Sequence, residues 1–215
     1  MFSTEKVFGR SEILPNFGDA LIAGVDEAGR GPLAGPVIAA AVILPPLKTP
    51  RQRRYFDSKQ HKVADRIRLC GGIRQQSLAC ATGHADVEEI DELNILNASL
   101  LAMKRALAAL QIKPDLVLVD GNRVPDFDAP CYSVVGGDAR VESISAASIV
   151  AKVTRDEEML QLHARYPVYN FASHKGYPTR EHIRNLDCHG VCEVHRKSYR
   201  PVRERLVAVR KTEAQ

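Results

Sequence analysis

Leu21-Ile-Ala-Gly-Val-Asp26-Glu27-Ala-Gly29-Arg30-Gly31-Pro32-Leu-Ala-Gly35-Pro36 passes from a short apolar run to two adjacent carboxylates, and then to a glycine-rich turn carrying one arginine. Leu21–Val25 reads as a buried strand. Val37–Leu44, beyond the turn, reads as another that is buried on both faces and is ended by Pro45-Pro46. Carboxylates at the end of a strand attract a hard divalent cation. Backbone N–H groups in a glycine-rich turn attract a phosphate or a sugar hydroxyl. The segment is therefore suited to holding a metal and a nucleic-acid backbone side by side.

The same alternation continues along the chain. Leu96, Leu100, Met103, Leu107 and Leu110 fall at helical spacing and are expected in the core. Leu116-Val-Leu-Val119-Asp120-Gly121 is a buried strand ending in an acid. Tyr132–Val135 is a short strand closed by Gly136-Gly137-Asp138, and Ile144–Tyr166 is a long helix. The first half of that helix carries Ser145, Ala146, Ala147, Ser148 and Ala151, small residues that let another backbone approach closely. Pro178-Thr179 opens a short helix with Thr179 as its N-cap. Strands alternating with helices predict a layered α/β fold.

The 215 residues suit a single domain, 1–215, with a core over about 20–168 and a basic helical extension over about 169–210. No apolar run reaches the roughly 18 residues of a membrane helix, and Met1–Lys6 lacks the apolar stretch of a signal peptide. Five cysteines without a paired framework point to a reducing, cytoplasmic setting. The net charge of +4 is uneven: residues 175–211 hold ten Lys/Arg against four Asp/Glu. That segment is a candidate footprint for a polyanion, with Arg196, Lys197 and Arg200 as expected phosphate contacts.

Asp26, Asp120 and Asp138 each stand at or just beyond an apolar strand. Buried carboxylates need a partner. A shared divalent metal meets that need for all three, with Lys and Arg partners as the competing explanation. Glu27 can join them only if the strand ends or bulges there, because consecutive strand side chains point to opposite faces. Oxygen-only ligands suit Mg²⁺ or Mn²⁺ rather than zinc, and two such ions suit hydrolysis of a phosphodiester. Gly29-x-Gly31-x-x-x-Gly35 misses the dinucleotide-loop spacing by one residue, and its neighbouring acids would repel a pyrophosphate. Cys188-His189-x-x-Cys192-x-x-His195 crowds its zinc-type ligands into eight residues, so ordinary thiols and surface histidines are the better expectation. Cys70, Cys80 and Cys131 read as packing residues. Tyr177, within His174-Lys175-Gly176-Tyr177-Pro178-Thr179, is a ring among basic residues, a setting in which bases and sugars stack.

Seven motifs in one order resemble the bacterial ribonuclease HII family, the type 2 ribonucleases H, from about Leu21 to Pro201. They are Gly24–Gly35, Asp57-Ser58-Lys59, Ile90-Asp91-Glu92-Leu93-Asn94-Ile95-Leu96, Val119–Asn122, Gly137-Asp138, Ile144–Asp156 and His174–Thr179. The resemblance implies an RNase H-like fold: a mixed five-stranded sheet flanked by helices, with a small C-terminal helical extension. It implies hydrolysis of the RNA strand of RNA–DNA hybrids. It also implies incision on the 5′ side of ribonucleotides embedded in duplex DNA, leaving 3′-hydroxyl and 5′-phosphate ends, in the removal of misincorporated ribonucleotides and RNA primers. By the same resemblance Asp26, Glu27, Asp120 and Asp138 are the catalytic, metal-binding acids for two Mg²⁺ or Mn²⁺ ions. Gly29, Arg30 and Gly31 hold the ribonucleotide's 2′-hydroxyl and adjoining phosphates, Tyr177 reads the RNA-to-DNA step, and Ser58 and Lys59 belong to the substrate surface. A monomer that meets no membrane is expected. The chain departs from the family at Gly137, where many members have lysine, so that a cation near the scissile phosphate is either missing or supplied by Arg140, and at Gln60-His61. The competing function is a non-catalytic nucleic-acid binder on the same fold. An intact acid set argues against it, since a pure binder gains by losing negative charge beside phosphate.

Overall fold

The computed structural model describes residues 20–45 and 62–213, with side chains as far as Val207. Ser58 and Lys59, like Gln60-His61, lie outside the described residues. Strands β1 (Ile22–Ala28), β2 (Val37–Ile43), β3 (Ala79–Ala85), β4 (Leu116–Asp120) and β5 (Cys131–Val134) form one sheet in the order β3-β2-β1-β4-β5. β1, β2 and β3 pair antiparallel, while β4 and β5 run parallel to β1. The sheet is therefore mixed and five-stranded, as the resemblance implied.

Helices cover both faces. Helix α1 is Val63–Gln76, α2 is Val87–Ala108 and α3 is Glu142–Arg165. Alternation along the strands sorts their side chains between two cores. Ala23, Val25, Ala39, Ala41, Val117 and Val119 pack with Ile90, Met103 and Leu107 of α2. Ala40 and Val42 pack with Cys70 and Ile73 of α1 and with Ala146, Ala147, Val150 and Ala151 of α3. All seven residues of β2 are buried, as a central strand covered on both faces requires. No described helix is long and apolar enough to cross a membrane.

Two expectations change. Leu96 is 36 % exposed rather than a core residue. The cause lies at Asn94, whose φ of 66° breaks α2, and whose Oδ1 accepts the N–H groups of Leu96 and Asn97 to restart it in a new phase. β1 also extends past Val25 through Glu27 to Ala28, with Glu27 paired to Ala39, so Asp26 and Glu27 both stand within the strand. β3 had no sequence counterpart: Ala79-Cys-Ala-Thr-Gly-His-Ala lacks the branched residues that announce a strand.

The small residues of α3 meet β1 at Gly24. A Cβ placed there would lie 2.1 Å from the Ser143 carbonyl carbon and 2.3 Å from the Ile144 nitrogen. Backbone meets backbone, so no side chain can move aside. Gly24→Ala should therefore cost about 3 kcal/mol or more, read as a lower denaturant midpoint. A midpoint near wild type would show that β1 and α3 can separate freely.

The C-terminal helices α4 (Phe171–His174), α5 (Arg180–His189) and α6 (Arg200–Glu213) pack on α3 and on the glycine-rich turn through Leu33, Met159, Tyr169, Phe171, Leu186 and Val202. Thr179 caps α5 as expected, its Oγ1 accepting from His182 N–H at 3.2 Å. His182 and His195 are fully buried, their Nε2 atoms 3.1 Å apart. His195 Nδ1 lies 3.1 Å from Cys192 Sγ. His195 is thus a core residue rather than a surface histidine. Cys188 and His189 are exposed, so the crowded zinc pattern does not converge. All five cysteines are free.

Burial lowers the pKa of His182 and of His195 to about 4. Between that value and the ordinary 6.5, the unfolded chain binds more protons than the folded one. Stability is therefore complete above about pH 6.5 and falls as the pH drops toward 4. The two rings together should lower unfolding free energy by about 3 kcal/mol at pH 5.5 relative to pH 8. Asp26, whose pKa is raised to about 7, acts in the opposite direction over the same window, so the histidine share is read as the difference between wild type and His182→Gln in denaturant melts at the two pH values. That difference should be about half of the two-ring loss, and a variant with the wild-type pH slope would overturn the assignment.

Candidate active site

β1 and β4 lie parallel with Val25 beside Val119, so Asp26 and Asp120 are the next residues on neighbouring strands and share the face toward α3. Asp26 is 5 % exposed. Its Oδ1 accepts the Glu27 N–H at 2.8 Å. Burial, then the charge of Glu27, pushes its pKa up to about 7, while Lys152, a hydrogen bond from Ser148 on α3 and the charge of Asp120 act more weakly. Lys152 in turn donates to Ser148. Glu27 is raised by burial and held back by Arg30, whose guanidinium sits 3.2 Å from its Oε1. Asp120 also raises Glu27. The charges of Asp26, Glu27 and Asp120 thus act on one another, but β1 neither ends nor bulges at Glu27, which alternates with Asp26, so the condition on which Glu27 would share the face of Asp26 and Asp120 is not met.

Asp138 lies in a 3₁₀ turn, Gly137–Ala139, and is buried. The turn is tied to the other acids by the Gly137 N–H, which donates to Asp120 Oδ1 at 2.7 Å. The departure at Gly137 has a local reason. A Cβ there would lie 2.6 Å from Ile144 Cδ1 and 3.4 Å from Asp120 Oδ1. Among the described residues no three His, Cys, Asp or Glu side chains already converge as the ligands of one ion. The burial of Asp26, the like charges of the half-buried Glu27 and Asp120 near it, and their oxygen-only chemistry still fit a hard divalent cation.

Gly29 to Pro36 forms the loop beside these acids. Leu33 N–H donates to Gly176 O at 2.8 Å, which ties the loop to the turn bearing Tyr177. A Cβ on Gly31 would meet the Tyr177 ring at 3.4 Å. Tyr177 is 48 % exposed, so its ring borders the loop and remains open to solvent. The structure thus brings Gly31 and Tyr177 together, with Arg30 linking the loop to Glu27.

One expectation is overturned here. Arg196, read as a surface phosphate contact, has no exposed surface. Its guanidinium donates to the carbonyls of Gly29, Arg30, Gly35 and Pro36 and to Tyr199 Oη. The sequence gives no sign of this, because a basic cluster looks the same whether its members face water or a loop. Arg200 is exposed and pairs with Glu204 at 2.7 Å, and Lys197 is exposed. Arg155 of α3 leaves no local sign of its place in the sequence either. It is buried against the loop, donating to Ala34 O, Pro36 O and Lys175 O.

A mixed sheet with acids at the ends of adjacent parallel strands, and a glycine loop alongside, defines a metal-dependent nuclease of the ribonuclease H type. The family model described as ribonuclease HII matches residues 23–202. Ribonuclease HII of Acidovorax sp. (strain JS42) is 56% identical over 188 residues, 87% of this chain and 89% of that protein. The structure of ribonuclease H2 from Pyrococcus horikoshii OT3 aligns with a TM-score of 0.74 at 29% identity, over 88% of this chain and 99% of the other. Bst-RNase HIII in complex with Mn²⁺ shares the fold, with a TM-score of 0.67 at 18% identity over 91% and 72% of the two chains. The chain belongs to the ribonuclease HII family. It is a hydrolase, an endonuclease of the ribonuclease H class acting on RNA–DNA substrates.

Proposed function

We propose that this enzyme incises duplex DNA on the 5′ side of an embedded ribonucleotide, and cuts the RNA strand of hybrids, with Asp26, Glu27, Asp120 and Asp138 as the metal-holding acids. The observation that carries the reading is the placement of Asp26 and Asp120 side by side on neighbouring strands, with Asp26 buried: burial first, and then the charge of Glu27, raises the pKa of Asp26 to about 7. Like-charged buried carboxylates are poor structural elements and good ligands for a hard cation. The Mn²⁺ held by the HIII relative supports a divalent ion.

Held by Asp26, Glu27, Asp120 and Asp138, two Mg²⁺ or Mn²⁺ ions would supply an acidified water and charge neutralisation at the leaving oxygen. The chain's own residues do the rest. Asp26 and Asp120 present oxygens from neighbouring strands. Asp138 presents its carboxylate from a turn anchored on Asp120. Arg30 opposes the rise that burial causes in the Glu27 pKa and sets a cation between the acids and the loop. Gly29, Arg30 and Gly31 approach the ribose closely, because the 2′-hydroxyl is what separates RNA from DNA. Tyr177 offers its exposed ring to the neighbouring sugar, and exposed Lys197 and Arg200 add phosphate contacts. The enzyme works as a monomer in the cytoplasm.

The test is cleavage of a duplex carrying one ribonucleotide, with Mg²⁺, with Mn²⁺ and with EDTA. A metal-dependent single cut leaving 3′-hydroxyl and 5′-phosphate ends is expected. Uncut duplex in both metals would refute the substrate assignment.

A further inference from the structure

Two guanidinium groups, those of Arg155 and Arg196, are buried together behind the glycine loop, and among the described residues neither has a carboxylate partner within ion-pair distance. Their partners are carbonyls. Arg196 reaches Gly29 O at 2.6 Å, Arg30 O at 3.0 Å, Gly35 O at 2.8 Å and Pro36 O at 3.2 Å. Tyr199 Oη, itself bonded to Arg196, adds a second donor to Arg30 O at 2.6 Å. Arg155 reaches Ala34 O at 3.2 Å, Pro36 O at 3.3 Å and Lys175 O at 3.0 Å. Burial lowers the pKa of Arg155 to about 10, and the neighbouring Arg196 charge acts in the same direction. Two unneutralised cations side by side are an expensive way to fasten a loop.

The peptide geometry shows what the arrangement achieves. Every peptide bond described is trans, so the C=O and N–H of one unit point in opposite directions. The Gly29 carbonyl shares its peptide unit with the Arg30 N–H, and the Arg30 carbonyl shares its unit with the Gly31 N–H. With both carbonyls turned inward onto Arg196, both N–H groups turn outward, away from the buried charge. Neither finds an acceptor among the described residues. A cation on the carbonyl side also polarises each peptide unit and strengthens its N–H as a donor. Gly29 must lack a side chain for this packing, since a Cβ there would lie 2.0 Å from Arg155 Nε and the residue holds a φ of 98°.

We propose that Arg196 and Arg155 are positioning residues for ribonucleotide recognition: Arg196 aims the N–H groups of Arg30 and Gly31 at the ribose. Arg155 fixes the distance from those donors to Tyr177, because it joins the far end of the loop to the Lys175 carbonyl, two residues before that ring. The inference rests on the substrate reading above and adds to it residues that touch no substrate. Lysine keeps the charge but lacks the planar fork of five donors, so it cannot serve four carbonyls at once.

The experiment compares wild type with Arg196→Lys and Arg155→Lys. It measures affinity, in Ca²⁺, for a duplex with one ribonucleotide and for its all-DNA counterpart, together with kcat, KM and the thermal midpoint. The preference for the ribonucleotide duplex should fall about tenfold or more in Arg196→Lys, with affinity for all-DNA duplex unchanged. Arg155→Lys should lose kcat on the single-ribonucleotide duplex more than it raises KM. A purely structural role would lower the midpoint and leave the preference of the folded fraction intact, and that result would overturn the inference. A wild type without the preference would overturn the substrate reading and this inference with it. For variants that fail to fold, wild-type amide resonances decide. Those of Arg30 and Gly31 should shift with the ribonucleotide duplex and not with all-DNA duplex, and amides that respond to neither would overturn the proposal.

Discussion

Asp26→Asn should reduce turnover on a single-ribonucleotide duplex by about a thousandfold, since removing one anionic ligand from the proposed divalent-metal site costs several kcal/mol at the transition state. Folding should not suffer. Asparagine has the same shape, can accept the Glu27 N–H as Asp26 Oδ1 does, and removes the charge that Glu27 and Asp120 repel. The pKa of Asp26 is raised, to about 7. A carboxyl of this kind favours the fold only while protonated and opposes it once the pH rises above the folded-state value. At pH 8 in EDTA the variant should therefore be more stable than wild type, by about 2 kcal/mol. Duplex binding should persist or tighten, because one negative charge beside the phosphates is gone. Loss of activity together with a gain in stability separates this role from a structural one. Turnover within about tenfold of wild type would remove Asp26 from the metal site.

Much of the placement of these acids could be read from the chain alone, because they interrupt apolar strands. Asp26 and Asp120 end runs whose only economical place is a sheet, and strand pairing puts them side by side. The small residues of α3 foretold a close approach, and it occurs where the Ser143–Ile144 backbone meets Gly24. Other features depend on what surrounds a residue and leave no local trace. β3 is a strand because β2 offers it a free edge, not because its own residues favour one. Leu96 fits the helical spacing and is displaced by the φ of Asn94, one residue whose side chain restarts the helix. Arg196 shows the limit most clearly. Lys197 and Ser198 beside it face water, while it turns inward onto a loop about 160 residues earlier, at Gly29 to Pro36, so charge counting placed it on the wrong side of the surface.

Tyr177→Ala should reduce cleavage of the single-ribonucleotide duplex by about a hundredfold and leave the thermal midpoint near wild type. The first effect follows from position. The ring borders Gly31, and about half of it faces solvent, so a sugar beside the one seated on the loop can lie against its face. An aromatic stacking partner contributes about 1–3 kcal/mol, and one set at the reacting junction acts on the transition state. The second effect follows from the backbone. The Tyr177 N–H donates to His174 O, and the Tyr177 carbonyl accepts from the His182 ring and from the Thr179 N–H. None of these bonds involves the phenol, so alanine keeps the turn. Continuous RNA–DNA hybrid should be cut with a smaller loss than the single-ribonucleotide duplex, because a ribose at the neighbouring position fits the ring less well than a 2′-deoxyribose. Tyr177→Phe should retain most activity if the ring face matters, and should fall with alanine if the hydroxyl does. Rates on both substrates, set beside melting curves, would decide the role. An alanine variant that cuts the single-ribonucleotide duplex normally, or that is inactive only because it has unfolded, would refute junction reading by this ring.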